Sequence, residues 1–380
     1  MEKILEKMKK YRINLHEIPE LGYVEKKTQT YLLQEIKKMG YEPNIICKTG
    51  IYIYLDGGSE ETYGFRTDID GLPISEETGA TYSSKHKGFM HACGHDGHMA
   101  TLLGFMDYLR GKKLKKNILL IFQPAEEGPG GAKDIVKSGI LEKYNVKGIF
   151  GLHLFPKLEE GIIGCRAGGF MAKAAEINIV IRGKSGHGGQ PHLGLDSIQV
   201  AGKILEGFNL ITSKFIAPFD PCIIAIGKIE GGTIRNIIPE VTRMEGTIRT
   251  FSTETFNFII GKIRDIAHGM ELSYGVKIEI DLAEGYPPVV NDKEYYSILE
   301  SIVNEDKKLK FKEIDPEMLA EDFGFYQEVT RGLFFFVGTQ NNKLGYVESL
   351  HNSKFNFNEK VLENGLRVYI GICKKLEILE

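Results

Sequence analysis

No stretch of the 380-residue sequence holds the ~20 consecutive apolar residues that a membrane-spanning helix needs. The opening residues, MEKILEKMKKYRINLHEIPE, alternate charged and aliphatic side chains at helical spacing without an uninterrupted apolar core, so they read as no secretory signal. Cysteine is scarce. Five residues, odd in number and widely scattered, make no disulfide framework and point to a reducing, cytoplasmic setting. An excess of one charge is missing too: 48 Lys and Arg stand against 51 Asp and Glu, and a net charge of −3 offers no global attraction to nucleic acid or to an anionic membrane. What remains, 42% hydrophobic and 26% charged, is the composition of a soluble globular chain. At ~100–200 residues per domain, such a length implies two or three domains.

Against this even background one stretch is dense in chemistry. His91-Ala92-Cys93-Gly94-His95-Asp96-Gly97-His98 brings three imidazoles, a thiol and a carboxylate into a single short segment, the mixture of soft and borderline ligands that suits a transition metal. Cys93 and His95, two apart in a turning backbone, leave on the same side and can reach one ion. Gly94 and Gly97 permit a tight turn and argue against helix before His98. An isolated HxxxH would read as surface histidines on a loop; the density of this cluster, and the further ligand types downstream in the chain, favour a metal site.

Along the chain, apolar spacing of three and four predicts helices over 3–15 and 26–39. The turn between them carries Pro19 and Gly22, and His16 there reads as a cap or surface residue. Residues 50–55 and 62–67 read as strands joined by a GGSEE hairpin, the second running into Asp68-Ile69-Asp70-Gly71. An amphipathic helix over 98–110 leads to the buried-looking strand 117–123, NILLIFQ, which ends at Pro124-Ala125-Glu126-Glu127. A helix over 131–138 then precedes the short apolar strand 148–152, stopped by His153 and Pro156. Strand, helix and strand in alternation imply a mixed sheet covered by helices, an α/β fold. Three strands stop at a ligand or proton carrier: Asp68, the Glu126 and Glu127 pair, and His153. In open α/β sheets the binding crevice lies beyond the carboxyl ends of the strands.

The middle of the chain changes character. Strands over 174–182, 222–229, 241–250 and 276–283, with helices over 196–210 and 253–274, run β-α-β-β-α-β, the ferredoxin-like order. This segment, 173–286, reads as a domain inserted between the two parts, 1–172 and 287–380, of a discontinuous catalytic domain. The last part carries a helix over 293–304, the core strand 333–337 and a closing helix over 358–376, with His351 in a Leu-His-Asn-Ser stretch between them.

These residue types suffice for a pair of divalent ions, which need about four terminal ligands and one or two bridges at ~3.5–4 Å separation. His95, Glu127, His153 and His351 supply the terminal set, with Cys93 or a water as bridge. One further carboxylate must stay off the ions to carry a proton to the leaving nitrogen. Glu126 is the candidate, because neighbours at a strand end point in different directions. Asp68 then holds a ligating imidazole in the correct tautomer. Taken alone, the Glu126 and Glu127 pair would read as solvated loop carboxylates.

HACGHDGH, QPAEEGPGGA, GLH, SGHGGQPH, RNIIPE, EGTIRT, AEDFG and LHNSKF occur in the order in which they occur in the M20 metallopeptidase and amidohydrolase family. The chain resembles this family over nearly its whole length, in the branch with aminoacylases, hippurate hydrolases and auxin-conjugate hydrolases. The resemblance implies metal-dependent hydrolysis of a small N-acyl amino acid amide, with Cys93, His95, Glu127, His153 and His351 as metal ligands, Glu126 as general base and Asp68 assisting. It implies that the inserted domain is a lid that forms a homodimer or higher oligomer. His187 would stabilise the oxyanion, within one subunit or across the dimer, and Asn236 and Arg249 would hold the substrate carboxylate. Arg66 stands where many relatives carry His, and Cys93 where they carry a bridging Asp. The ions implied are therefore any of manganese, zinc, cobalt or nickel.

Overall fold

The structure, a computed structural model, describes residues 1–128 and 130–380. Pro129, part of the loop motif at 124–131, lies outside the described residues. The chain divides into two compact units, one of Met1–Gly168, Val290–Asp315 and Asp322–Glu380, the other of Gly169–Val289 and Pro316–Glu321. Thus residues 316–321, which the sequence pattern leaves with the last part of the chain, belong to the smaller unit. Among the described residues no helix is long and apolar enough to cross a membrane.

The larger unit is a mixed α/β fold built on an eight-stranded sheet. Its strands lie side by side as Asn44–Ile46, Gly50–Leu55, Asn117–Gln123, Thr62–Asp68, Val146–Glu159, Arg331–Gln340, Ile162–Cys165 and Lys310–Glu313. Asn117–Gln123 and Thr62–Asp68 are buried at every position, as expected of parallel strands covered on both faces. This order overturns the hairpin expected at GGSEE. Gly50–Leu55 and Thr62–Asp68 do not pair with each other, because the continuously apolar Asn117–Gln123 takes the more buried place between them.

His153 does not end its strand, as the sequence suggested; Val146–Glu159 runs on past it. Pro156 falls where the pairing with Arg331–Gln340 becomes irregular, so its missing N–H interrupts a stretch of ladder without stopping the strand. Even so, His153 lies two residues beyond the pair Arg66 and Gly151, level with Asp68 at the carboxyl end of the neighbouring strand.

The helix expected to begin at His98 spans His95–Leu109. It is not amphipathic in practice: every residue except Asp107 and Tyr108 is buried, and it contacts both Glu2–His16 and Leu362–Lys375. Gly97, by type a helix breaker, sits in the first turn for want of space. A Cβ there would lie 2.6 Å from Leu154 Cδ1 and 2.7 Å from Phe357 Cζ.

The smaller unit carries a four-stranded antiparallel sheet in the order Cys222–Gly231, Val241–Thr250, Lys173–Arg182, Lys277–Glu284. Alternation puts Ala175, Ile177, Ile179 and Ile181 on one face, where they share a core with Val200, Ile204 and Phe208 of Ser197–Leu210 and with Ile259 and Ile263 of Thr253–Tyr274. Asp196 and Ser252 cap the two helices by accepting N–H bonds from Ile198, Gln199 and Thr255.

Gly97→Ala is expected to destabilise the folded chain by roughly 1–3 kcal/mol, the ordinary cost of overpacking a rigid core. Chemical denaturation measures it, and an unchanged midpoint would show that Leu154 and Phe357 yield freely.

Candidate metal centre

The site is assembled where the strands Thr62–Asp68 and Asn117–Gln123 end, beside the middle of Val146–Glu159 and the start of the helix His95–Leu109. Gly94, left-handed at φ 88°, turns the chain so that His95 opens the helix directly after Cys93. Cys93 Sγ lies 3.4 Å from His153 Nε2. His351, also left-handed at φ 62°, is anchored by its own N–H donating to Ala92 O at 2.9 Å, which carries its ring to 3.2 Å from Glu127 Oε1.

The two buried imidazoles of the expected ligand set are oriented by the backbone. His95 Nδ1 donates to Asp70 O at 2.8 Å and His153 Nδ1 donates to Leu154 O at 2.7 Å. In both, Nε2 is left facing the site, the arrangement that suits a histidine that ligates once that nitrogen is deprotonated. His95 Nε2 is 3.7 Å from Glu127 Oε1 and 3.9 Å from Glu126 Oε2. His95 Nε2 and Glu127 Oε1 are both buried, and neither makes a hydrogen bond of good geometry. Buried polar atoms are seldom left so, and two facing each other across a thiol match a cation donor set. Potential ligand atoms fall within 4.8 Å of one another in Cys93, His95 and His153, and again in Cys93, Glu127 and His351. Cys93 belongs to both groups. All five expected ligands are therefore brought together around Cys93, with Glu126 beside them, and the donor set fits divalent cations.

The site's charges are strongly perturbed. Burial, with the charges of Glu127 and Glu126, pushes the Cys93 thiol well above its ordinary value. Burial disfavours a charged His95, but Asp68, Asp70 and Glu127 outweigh it and push that imidazole up to about 10. Burial, reinforced by the neighbouring His98, pushes His153 down to about 3. Burial alone would raise Glu127, yet the contacts with His351 and His95 hold it below the usual carboxylate value.

Asp68 does not hold a ligating imidazole. Its Oδ1 takes the Nδ1–H of His98 at 2.7 Å, while Leu154 N–H donates to His98 Nε2 at 2.9 Å. Both nitrogens of His98 are thereby occupied, and the ring is a strut between Asp68 and the His153 strand. The backbone carbonyls already satisfy the ligating rings, which is why Asp68 is available to His98. Asp68 Oδ2 lies 3.8 Å from His95 Nε2 and accepts from Arg66 at 3.0 Å. Burial pushes its carboxyl up, but His95, His98 and Arg66 together hold it well below the usual range. Arg66 spans Gln123, Asp68 and Asp322 while fully buried.

Glu126 and Glu127, expected to point apart, both approach His95 Nε2. The cause is Ala125, which is left-handed at φ 55° and so breaks the strand alternation. His16, expected at the surface, is buried: Nδ1 is 2.7 Å from Asp96 and Nε2 3.2 Å from Glu76, beside the equally buried Arg12. Composition of a turn does not reveal that another element covers it. Sequence reasoning also misses Asp70, whose two oxygens accept the N–H groups of Glu126 and Glu127 at 3.1 and 3.0 Å. The Asp-x-Asp spacing at 68–70 is the signal that could have found it.

In the smaller unit His187 and Asn236 come together. Ile237 pairs with His187, Gly188 N–H donates to Asn236 O at 2.8 Å, and His187 Nδ1 accepts from Gly189 N at 3.0 Å. Arg249 stands apart from them, on the sheet face away from the two helices, lining a hollow of about 700 Å³ with Glu176 and Asn178.

Residues 64–375 match the model of peptidase family M20/M25/M40. The chain belongs to this family. An N-acetyldiaminopimelate deacetylase of Oceanobacillus iheyensis is 37% identical over 368 residues, covering 96% of this chain and 98% of the relative. A protein of methicillin-resistant Staphylococcus aureus superposes with a TM-score of 0.92 at 30% identity, covering 100% of this chain and 98% of its own. A Bacillus subtilis protein described as a dinuclear metal binding peptidase of the M20 family gives a TM-score of 0.86 at 30% identity, with both chains covered in full.

Since Cys93 is held as a thiol and His95 as an imidazolium, ion uptake by this M20 protein should expel about two protons and tighten as pH rises through neutrality. Calorimetry in buffers of different ionisation enthalpy measures the release, and uptake without any would contradict ligation by Cys93 and His95.

Proposed function

We propose that this chain hydrolyses the amide of N-acetyl-LL-2,6-diaminopimelate, giving LL-2,6-diaminopimelate and acetate, in the acetylated branch of lysine synthesis. The observation that carries the reading is the pair of orphaned, buried atoms, His95 Nε2 and Glu127 Oε1, facing the Cys93 thiol with Glu126 alongside. The deacetylase name of the Oceanobacillus iheyensis relative, which aligns almost from end to end, supports the substrate. Metal ligands are Cys93, His95, Glu127, His153 and His351. The ions are manganese, zinc, cobalt or nickel.

A pair of divalent ions, when bound, polarises the acyl carbonyl and lowers the proton affinity of the attacking water. Glu126 takes the proton of that water and returns it to the leaving nitrogen. Its side chain is 7% exposed, which shields it from bulk water while it faces His95. Asp68 acts through His98 and Arg66, keeping the floor of the site rigid. His187 donates a hydrogen bond to the oxyanion. Asn236, beside His187, holds the substrate carboxylate, and Arg249, apart from them on the sheet, offers its guanidinium fork to an anionic group of the substrate. The smaller unit, ferredoxin-like in strand order, serves as lid and as the surface through which the cytoplasmic enzyme forms a homodimer or higher oligomer.

The test is acetate release from N-acetyl-LL-2,6-diaminopimelate, compared with hippurate, by protein loaded with each metal in turn. Turnover of the diaminopimelate derivative should exceed that of hippurate, and no release from any N-acetyl amino acid overturns the reading. Glu126→Gln should lower kcat by about 10²–10⁴-fold with metal content unchanged, as loss of a general base does.

A further inference from the structure

The two glutamates of the site depend on a backbone conformation that alanine adopts reluctantly. Ala125 has φ 55°, in the left-handed region where a Cβ crowds the backbone. Its surroundings hold the polar groups on either side of it. Ala125 O accepts from Gly130 N at 3.1 Å and Gly131 N at 3.0 Å. Asp70 takes the next two N–H groups along the chain, those of Glu126 and Glu127. The N–H of Ala125 itself donates to Glu25 Oε1 at 2.9 Å.

Glu25 is an unexpected partner. It occupies the N-cap position of the helix Lys26–Lys38, yet its side chain makes no capping bond. Glu20 caps that helix instead, accepting from Lys27 N at 2.8 Å and Thr28 N at 3.0 Å. Glu25 is turned inward, fully buried, with its second oxygen accepting from the Thr49 hydroxyl at 2.5 Å. The chain just before it is pressed on the same alanine: a Cβ on Gly22 would lie 2.8 Å from Ala125 Cα. A buried carboxylate is costly unless it is hydrogen-bonded, and one of the bonds that meet this cost for Glu25 holds a turn far away in sequence, while the Thr49 hydroxyl fixes the carboxylate itself.

We infer that Glu25 is a positioning residue: with Asp70 it forms a carboxylate clamp on three consecutive peptide N–H groups, holding Ala125 left-handed so that Glu126 and Glu127 converge on His95. Neither Glu25 nor Thr49 touches the expected ligands. Their effect passes through the backbone, and it bears first on how tightly Glu127 can serve as a ligand and second on where Glu126 stands.

Divalent-ion affinity, measured by competition with a chromogenic chelator using manganese or zinc alone, reads the clamp without reference to substrate. Glu25→Ala should weaken it by about 10-fold or more, the usual effect of losing a group that orients a metal ligand. Glu25→Gln retains an acceptor for Ala125 N–H, and the Thr49 hydroxyl can rotate to accept from the new amide, so affinity should stay near wild type. Adding Ala125→Gly to Glu25→Ala should recover much of the loss, because glycine adopts a positive φ without needing to be held. Amide exchange at 125–127 should quicken in Glu25→Ala while global unfolding, measured in parallel, accounts for less than the full change.

The kinetic arm rests on the hydrolase reading: kcat for acetate release should fall by about 10-fold or more in Glu25→Ala with KM little changed, as misplacement of a reacting group does. If wild type releases no acetate but affinity follows the expected order, the substrate reading fails and the clamp stands. Should Glu25→Ala not fold, Glu25→Asp, which keeps the charge but is one methylene short, must show the same weakened affinity. Wild-type affinity and turnover in the folded variant, or no recovery from Ala125→Gly, would overturn the inference.

Discussion

Burying ionised groups is tolerable only where each is matched in charge and hydrogen bonding, and the larger unit is organised around that requirement. Two buried guanidinium groups meet most of it. Arg12 binds Asp96 at 2.9 Å and Glu359 at 3.0 Å and lies over the rings of Tyr82 and Phe357. Arg66 binds Asp68 at 3.0 Å and Asp322 at 2.8 Å. These pairs lock the helix that begins at His95 and the strand that ends at Asp68. The remaining set is different. Among the described residues no lysine or arginine pairs with Glu127 or approaches Cys93 as an ion partner, and that is the place where the donors fit divalent cations.

The same economy explains the geometry of the loop after Gln123. A parallel strand delivers its last residues to the crevice beyond the sheet, but alternation would send Glu126 and Glu127 to opposite sides. A single left-handed alanine changes that direction. Its strain is sustained by bonds from two carboxylates and by close contact with Gly22, so the N-terminal segment contributes to the site without facing it. The orientation of His95 and His153 by backbone carbonyls follows the same logic, since main-chain groups fixed in a sheet or turn move less than side chains.

Periodic elements were legible in the sequence because their signal is local. The strands Asn117–Gln123 and Val241–Thr250 and the helix Thr253–Tyr274 fall where apolar spacing placed them. Errors came where the deciding contact was remote. Helix is compatible with Gly97 because Leu154 and Phe357 leave no room for a side chain there. The GGSEE hairpin fails because a strand some fifty residues later intervenes, and His16 is buried because Asp96 and Glu76 are brought against it.

By itself the sequence determined which chemistry is possible: the residue types at 93, 95, 126, 127, 153 and 351, the alternation of strand and helix that makes a mixed sheet, and the motifs of a metal-dependent hydrolase family. Those are properties of composition and short spacing, and they survive without knowing what packs on what. Only the tertiary structure decided that Asp68 grips His98, that Arg66 neutralises Asp68 and Asp322, and that Glu25 holds Ala125. A buried charge takes whichever partner the packed chain brings within about 3 Å, and distance along the chain carries little information about that choice.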